Sequence, residues 1–216
     1  MIPGVGGQLL SHAYLEQHVL PHLAADECAA FEQRAARWWQ TVSRAIGPSA
    51  GGRQVFDVAV APMLDLLGYA APVVSRVDHM LLGVSQRAGG LPTLVIALPW
   101  AAPVEAAWRD TIRGGVGADA AWALVTNGRT LQLVDCRRPW ARHALHFDFA
   151  PLLAHSGGAR LLWALAGAQA AGSLAGPSSL QSRVAASSAH AARVCHSLGD
   201  GVLTALPALA AALAAG

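Results

Sequence analysis

His18 and His22 stand four residues apart, the spacing that sets two imidazoles on one face of a helix and suits an ion such as zinc. The third ligands within reach, Glu16 and His12, complete no recognised set. Pro21 interrupts the helix between the two histidines, and two solvated side chains is the reading taken. His143 and His146 are an odd number apart at the start of an expected strand. They should point to opposite faces and share no ligand. Ser11 and Ser197 lack a Gly-x-Ser-x-Gly frame, so nucleophilic catalysis has no support. Cys28, Cys136 and Cys195 are far apart and form no Cys-x-x-Cys pair, which suggests neither a disulfide framework nor a zinc site. All 15 basic residues are arginine. Without a lysine there is no Walker phosphate-binding lysine, no Schiff base and no lysine of the kind metal-dependent nucleases use.

The arginines are densest between Arg109 and Arg142. That window also holds Arg113, Arg129, Arg137 and Arg138, set against Asp110, Asp119 and Asp135, with Trp140 inside the last group. Arginines interleaved with an aromatic suit phosphate contact, and Arg129, Arg137, Arg138 and Arg142 are the nucleic-acid-binding candidates. Local ion pairs on a solvated turn explain the same residues equally well. Trp38 and Trp39 are expected to pack in the core or at an interface rather than stack on bases, and Trp100 and Trp108 to pack near each other.

These side chains need a scaffold. A chain of 216 residues with a net charge of +2 suits one domain plus an appended element. Apolar residues make up 54%, much of it Ala and Gly. The longest apolar run, Gly201 to Gly216, is broken by Thr204 and Pro207 and is short of the roughly 20 residues of a membrane span. The opening MIPGVGGQ has neither the basic segment nor the apolar stretch of a secretion signal, so a cytoplasmic location is expected.

Helical spacing runs from Gln8 to His22, and from Asp26, a candidate N-cap, to Ile46. The Gly/Pro-rich stretch Gly47 to Gly52 stops the second helix, and a third runs from Arg53 to Leu67 before Gly68. Ala71 to Val84 and Leu91 to Leu98 read as the strands of a hairpin. Within the second, Thr93 to Leu98 is apolar enough for a central strand covered on both faces. A short helix from Val104 to Arg113 follows. Asn127-Gly128-Arg129 then joins strands Ala121–Thr126 and Thr130–Val134, and Leu145 to Phe149 reads as one more strand. From Pro151 the chain is helical, with Leu161, Leu162, Leu165 and Ala168 in one stripe and a last helix from Leu180 to Leu198 or beyond. The expected fold class is α/β (α+β), a small mixed sheet flanked by helices with an Ala-rich helical tail.

Three stretches have a familiar look. They are Phe56-Asp57-Val58-Ala59-Val60-Ala61-Pro62 through Leu67-Gly68-Tyr69, Ala121 to Asp135 around Thr126-Asn127-Gly128-Arg129, and Trp140-Ala141-Arg142 leading into Leu145-His146-Phe147-Asp148-Phe149. Together they resemble the amino-terminal region of large single-chain type II restriction-modification proteins, in which a nuclease-like domain precedes an adenine methyltransferase. The resemblance implies a restriction-endonuclease-like domain over residues 1–155 and a helical connector over 156–216. It places the first metal-binding acid near Asp78. It puts Ala97 and Pro99 where the next strand should carry an acid and a lysine, and neither can bind metal or move a proton. The implied site is catalytically silent.

No (N/D/S)PP(Y/F/W) motif is present, and Gly4-Val5-Gly6-Gly7 lacks the preceding strand of an S-adenosylmethionine loop. S-adenosylmethionine and Mg are therefore expected for the full-length family and not for this chain, which by itself is not expected to be an enzyme. The implied role lies in restriction-modification or phage defence, with weak, non-specific DNA binding and a methyltransferase domain or subunit as partner. Two alternatives stay open. One is a protein-interaction module with no nucleic-acid role; the other is an active endonuclease using Asp57, Asp65 or Asp78 with an acid elsewhere. The connector reading also implies that residues after about Pro177 are dispensable for folding.

Overall fold

A computed structural model describes residues 2–23, 25–86, 90–173 and 175–214. The chain is a mixed α/β structure around a single seven-stranded sheet, ordered β1-β7-β6-β5-β4-β3-β2. Every neighbouring pair is antiparallel except β4 and β5.

Strand β1, Val5–Gly7, lies on the edge against β7, with Val5 opposite Phe147. Gln8 and Leu9 both donate to the Ala144 carbonyl, which holds them on the sheet and delays the helix expected from Gln8. Ser11 then caps α1, His12–Tyr14, its hydroxyl accepting from the Tyr14 amide at 3.2 Å. A π-helical turn, Leu15–Val19, and a 3-10 turn, Leu20–His22, follow, with Pro21 in the first turn of the latter, where its missing N–H leaves no hydrogen bond unmade.

The long helix α2, Ala25–Ala45, buries Ala35, Trp38 and Val42. Asp26 falls within its first turn, and its side chain lies outside the described residues. Trp38 stands edge-on to Phe149 at 4.9 Å and donates its indole N–H to the Ala59 carbonyl. Core packing, not base stacking, is its role. The segment bearing Ala59 is one helical run: α3, Gly52–Val55, a π-helical turn, Phe56–Val60, and α4, Ala61–Leu66. Gly68 ends it at φ +81°, with the Tyr69 amide reaching back to the Leu64 carbonyl.

The stretch expected as one strand from Ala71 to Val84 is two: β2, Val73–Val77, and β3, Met80–Ser85. Asp78 turns the chain between them at φ +52°, a conformation aspartate tolerates better than most side chains. Strand β3 pairs with β4, Thr93–Ala97. The connecting residues Arg87 to Gly89 are outside the described residues. All five positions of β4 are buried, as a strand covered on both faces requires. A 3-10 turn, Val104–Ala107, and α5, Trp108–Gly117, then cross over to the parallel strand β5, Trp122–Thr126. Strands β6, Thr130–Asp135, and β7, Ala144–Asp148, complete the meander. Between β5 and β6, Asn127 accepts from the Arg129 and Thr130 amides, and Gly128 takes φ +82°. A methyl group on Gly128 would also press on Val55 and Ala59, which ties this hairpin to the helical layer.

The two faces of the sheet are unequally covered. Val95, Ala97, Trp122, Leu124, Leu131, Leu133, Leu145 and Phe147 face a thick helical layer. Leu94, Ile96, Ala123 and Val125 face only α5 and the turn before it. The same cover reaches Val134 of β6 and Ala144 of β7, so this face opens only around His146 and the edge strand β1.

The core runs across the boundary expected at 155/156. After α6, Phe149–Ala154, helix α7, Gly158–Ala166, buries Leu161, Leu162 and Leu165 in the same cluster as the sheet residues. Arg160 on α7 pairs with Glu32 at 3.0 Å, and the Tyr69 hydroxyl donates to the Ala166 carbonyl. Helix α8, Ala168–Ala171, leads to α9, Leu180–Ala214. The first turns of α9 also belong to the core. Leu180 and Val184 are buried, and the Ser187 hydroxyl accepts from the Ser11 amide at 3.0 Å. Only beyond these turns does the helix leave the body, where Leu198, Val202, Leu203 and Leu206 are exposed. Among the described residues no helix is long and apolar enough to cross a membrane.

Candidate nucleic-acid interface

The register of β3 on β4 pairs Leu81 with Ala97, so the start of one strand meets the end of the other. Asp78, Ala97 and Pro99 thus gather at one end of the sheet, but they build no metal site. Asp78 is exposed in its turn, and its carbonyl accepts from Arg76 at 3.1 Å. The Ala97 methyl is fully buried in the apolar cluster. Helix α3 closes over this end as tightly as the chain allows, since a methyl group on Gly52 would lie 2.8 Å from the His79 carbonyl and 3.5 Å from that of Ala97. Hydrocarbon and backbone fill the place of a cation and its water, and the residues present do not fit Mg²⁺.

The other acids are engaged on outer helix faces. Asp57 pairs with Arg53 at 2.8 Å and Asp65 with Arg34 at 3.5 Å. His18 packs on Tyr14 and His190. Among the described residues no group of three His, Cys, Asp or Glu side chains gathers to hold a metal. Burial, reinforced by the neighbouring Asp135 charge, pushes the Cys136 thiol up to about 12, which leaves it no nucleophile at neutral pH.

The four candidate arginines do not form one patch. Arg137 and Arg138 close around Asp135, whose side chain is fully buried at the end of β6. Arg138 Nε lies 2.9 Å from Asp135 Oδ2, and the Arg137 amide donates to Oδ1 at 3.0 Å. The Arg137 guanidinium also lies 5.0 Å over the Trp122 ring and donates to Gln181. These two arginines neutralise a buried carboxylate, an assignment that depends on burial and not on spacing. Asp135→Asn keeps the shape and removes the charge that both arginines use. It should lower stability by about 2–3 kcal/mol, or roughly 5–10 °C in melting temperature. A thermal melt indistinguishable from the parent would show the pair to be idle.

Arg129 and Arg142 are different. Both are exposed, and among the described residues neither guanidinium has an ion-pair partner. Arg129 lies at the β5–β6 hairpin, its carbonyl accepting from the Phe149 amide past the end of β7. Arg142 precedes β7, held at φ +49° after a 3-10 turn, Pro139–Ala141. They therefore stand at opposite ends of β7, on the order of 17 Å apart for a five-residue strand.

Between them runs a groove along the open face of the sheet. Its larger part, about 400 Å³, is lined by Trp108, Gln132, Arg142 and His146, with Glu105 at the rim. A second part, about 290 Å³, continues past Glu105 and His146 to Asn127 and Arg129. Gln132 and His146 are directly opposed across β6 and β7, and their Nε2 atoms lie 3.4 Å apart. His146 Nδ1 is 3.6 Å from Glu105 Oε1. Sequence reasoning missed Glu105, Trp108, Gln132 and His146 as a group. The available signal was Gln132, a polar residue between Leu131 and Leu133 in the middle of a strand otherwise polar only at its two ends. Trp100 does not join Trp108 as expected; it packs on the helical layer while Trp108 packs on the opposite face.

Comparison of the chain with protein-family models, curated proteins and solved structures finds no match in any of the three.

Proposed function

We propose that this chain is a restriction-endonuclease-like domain without catalytic activity, which engages DNA weakly through phosphate contacts and positions a methyltransferase domain or subunit in a restriction-modification or phage-defence protein. One observation carries the reading. The antiparallel run β2–β3–β4, followed by a crossover helix and the parallel strand β5, sets the start of β3 against the end of β4. Those are the two places where a nuclease of this kind needs its acids and lysine, and here they hold a turn aspartate, a buried methyl and a proline. Arg129 and Arg142, which have no ion-pair partner among the described residues, are the phosphate contacts this reading uses.

Weak, sequence-independent binding should fall steeply as salt rises. The double variant Arg129→Ala with Arg142→Ala, measured by fluorescence anisotropy on labelled DNA, should bind more weakly and lower the salt slope by about two. An unchanged slope would remove these arginines from the interface.

A second reading, a protein-interaction module, is favoured by the exposed Leu198, Val202, Leu203 and Leu206 on α9. The two readings are compatible if that half of the helix is where the methyltransferase partner sits.

A further inference from the structure

We infer that the groove between Arg129 and Arg142 holds an unpaired nucleotide of a DNA single strand rather than duplex DNA. The inference rests on the DNA-engaging reading above and adds the form of the ligand. Shape is the first argument. Duplex grooves are read by a protruding helix or ribbon. This site is concave, a cleft of about 400 Å³ between the start of α5 and the β7–β1 edge of the sheet, with Gln132 of β6 among its lining residues. A flattened strand fits into it; a double helix does not.

Charge is the second argument. The cations stand at the two ends of the groove and the Glu105 carboxylate near its middle, while Asp148 at the Arg129 end accepts from the Ala150 amide through its side chain. A phosphate in the middle would meet that carboxylate, whereas phosphates at the ends would each meet an arginine. The middle is left for a base.

The middle also offers what a base edge needs. Gln132 is almost fully buried, yet among the described residues its amide meets one side-chain partner, His146, at a long 3.4 Å. A primary amide has two donors and two acceptor lone pairs, so most of its capacity remains for a ligand in the cleft. His146, its two ring nitrogens turned to Gln132 and Glu105, links these groups, the Glu105 carboxylate keeps acceptor capacity for an exocyclic amine, and the Trp108 ring borders the same space. Glu105 favours adenine or cytosine over thymine, which has no exocyclic amine to give it.

The test is fluorescence anisotropy on the intact chain at fixed salt, with labelled oligo(dA), oligo(dC), oligo(dT) and a blunt duplex of equal length. Single strands should bind about tenfold tighter than duplex. Oligo(dA) and oligo(dC) should bind about fivefold tighter than oligo(dT). Glu105→Ala, at an exposed position, removes the acceptor and should erase the base preference, and Arg129→Ala or Arg142→Ala should weaken all single strands alike. Duplex bound as tightly as single strand would overturn the inference and leave the DNA reading standing. An unchanged base preference in Glu105→Ala would also overturn it. Binding to neither form would remove both.

Discussion

Ala97→Glu should strongly destabilise the protein rather than restore a metal site. The methyl it replaces is fully buried among apolar side chains, beneath the start of α3. The longer side chain overpacks the cluster, at a cost of about 1–3 kcal/mol. Its carboxylate finds no cation there, and the total loss of about 5 kcal/mol is a large part of an ordinary domain's stability. Burial raises the carboxyl pKa in the folded state, so the protonated form is the tolerated one. The extra penalty is therefore absent below the unfolded value of about 4.3 and grows by about 1.4 kcal/mol per pH unit above it until the folded value is reached. Thermal melts of variant and parent at pH 4 and pH 7 check the sign, with the wider gap expected at pH 7. A variant that melts like its parent and is stabilised by Mg²⁺ would show a latent metal site.

The second large effect concerns α9. A chain ending at residue 176 loses Leu180 and Val184 from the core, together with the hydroxyl that accepts from Ser11. Two buried aliphatic side chains are worth about 3–6 kcal/mol, so the melting temperature should fall by roughly 10–20 °C. A chain ending at residue 192 keeps these contacts and discards only the exposed half. It should melt within a few degrees of the parent and associate less with itself. The helix thus has two parts that its continuous pattern does not distinguish, one belonging to the body and one free for a partner. If the chain ending at 176 melts like the parent, the inner turns are not part of the core.

The features legible in the sequence are those set by local chemistry. The buried run Thr93–Ala97, the Asn127-Gly128 turn and the Gly68 helix stop each carry their cause within a few residues, and the mixed sheet with flanking helices follows from them. The split of β2 from β3 was hidden because one aspartate in a left-handed conformation makes the turn, with no glycine to announce it. Edge strand β1 is three residues long and two of those are glycine, so it has almost no pattern to read.

The arginine cluster shows a deeper limit. Arg129, Arg137, Arg138 and Arg142 look equivalent along the chain, and what separates them is the burial of Asp135, a property of the whole sheet. For that reason Arg137→Ala with Arg138→Ala is a poor test of DNA contact. It strands a buried carboxylate, at a cost of about 3–5 kcal/mol, and any loss of binding would follow loss of fold. The groove was invisible for a related reason. Its residues come from four separate segments, and its opening exists because the crossover helix stops short of the β7–β1 edge.

Incubating the purified chain with plasmid and linear DNA in Mg²⁺ and in Mn²⁺ tests the catalytically silent reading most directly. The account predicts that both substrates remain intact over hours at protein in excess of DNA, because no carboxylate stands at Ala97 and no lysine at Pro99. Metal-dependent cleavage that is lost in Asp78→Ala would contradict it, and would make this end of the sheet an active site.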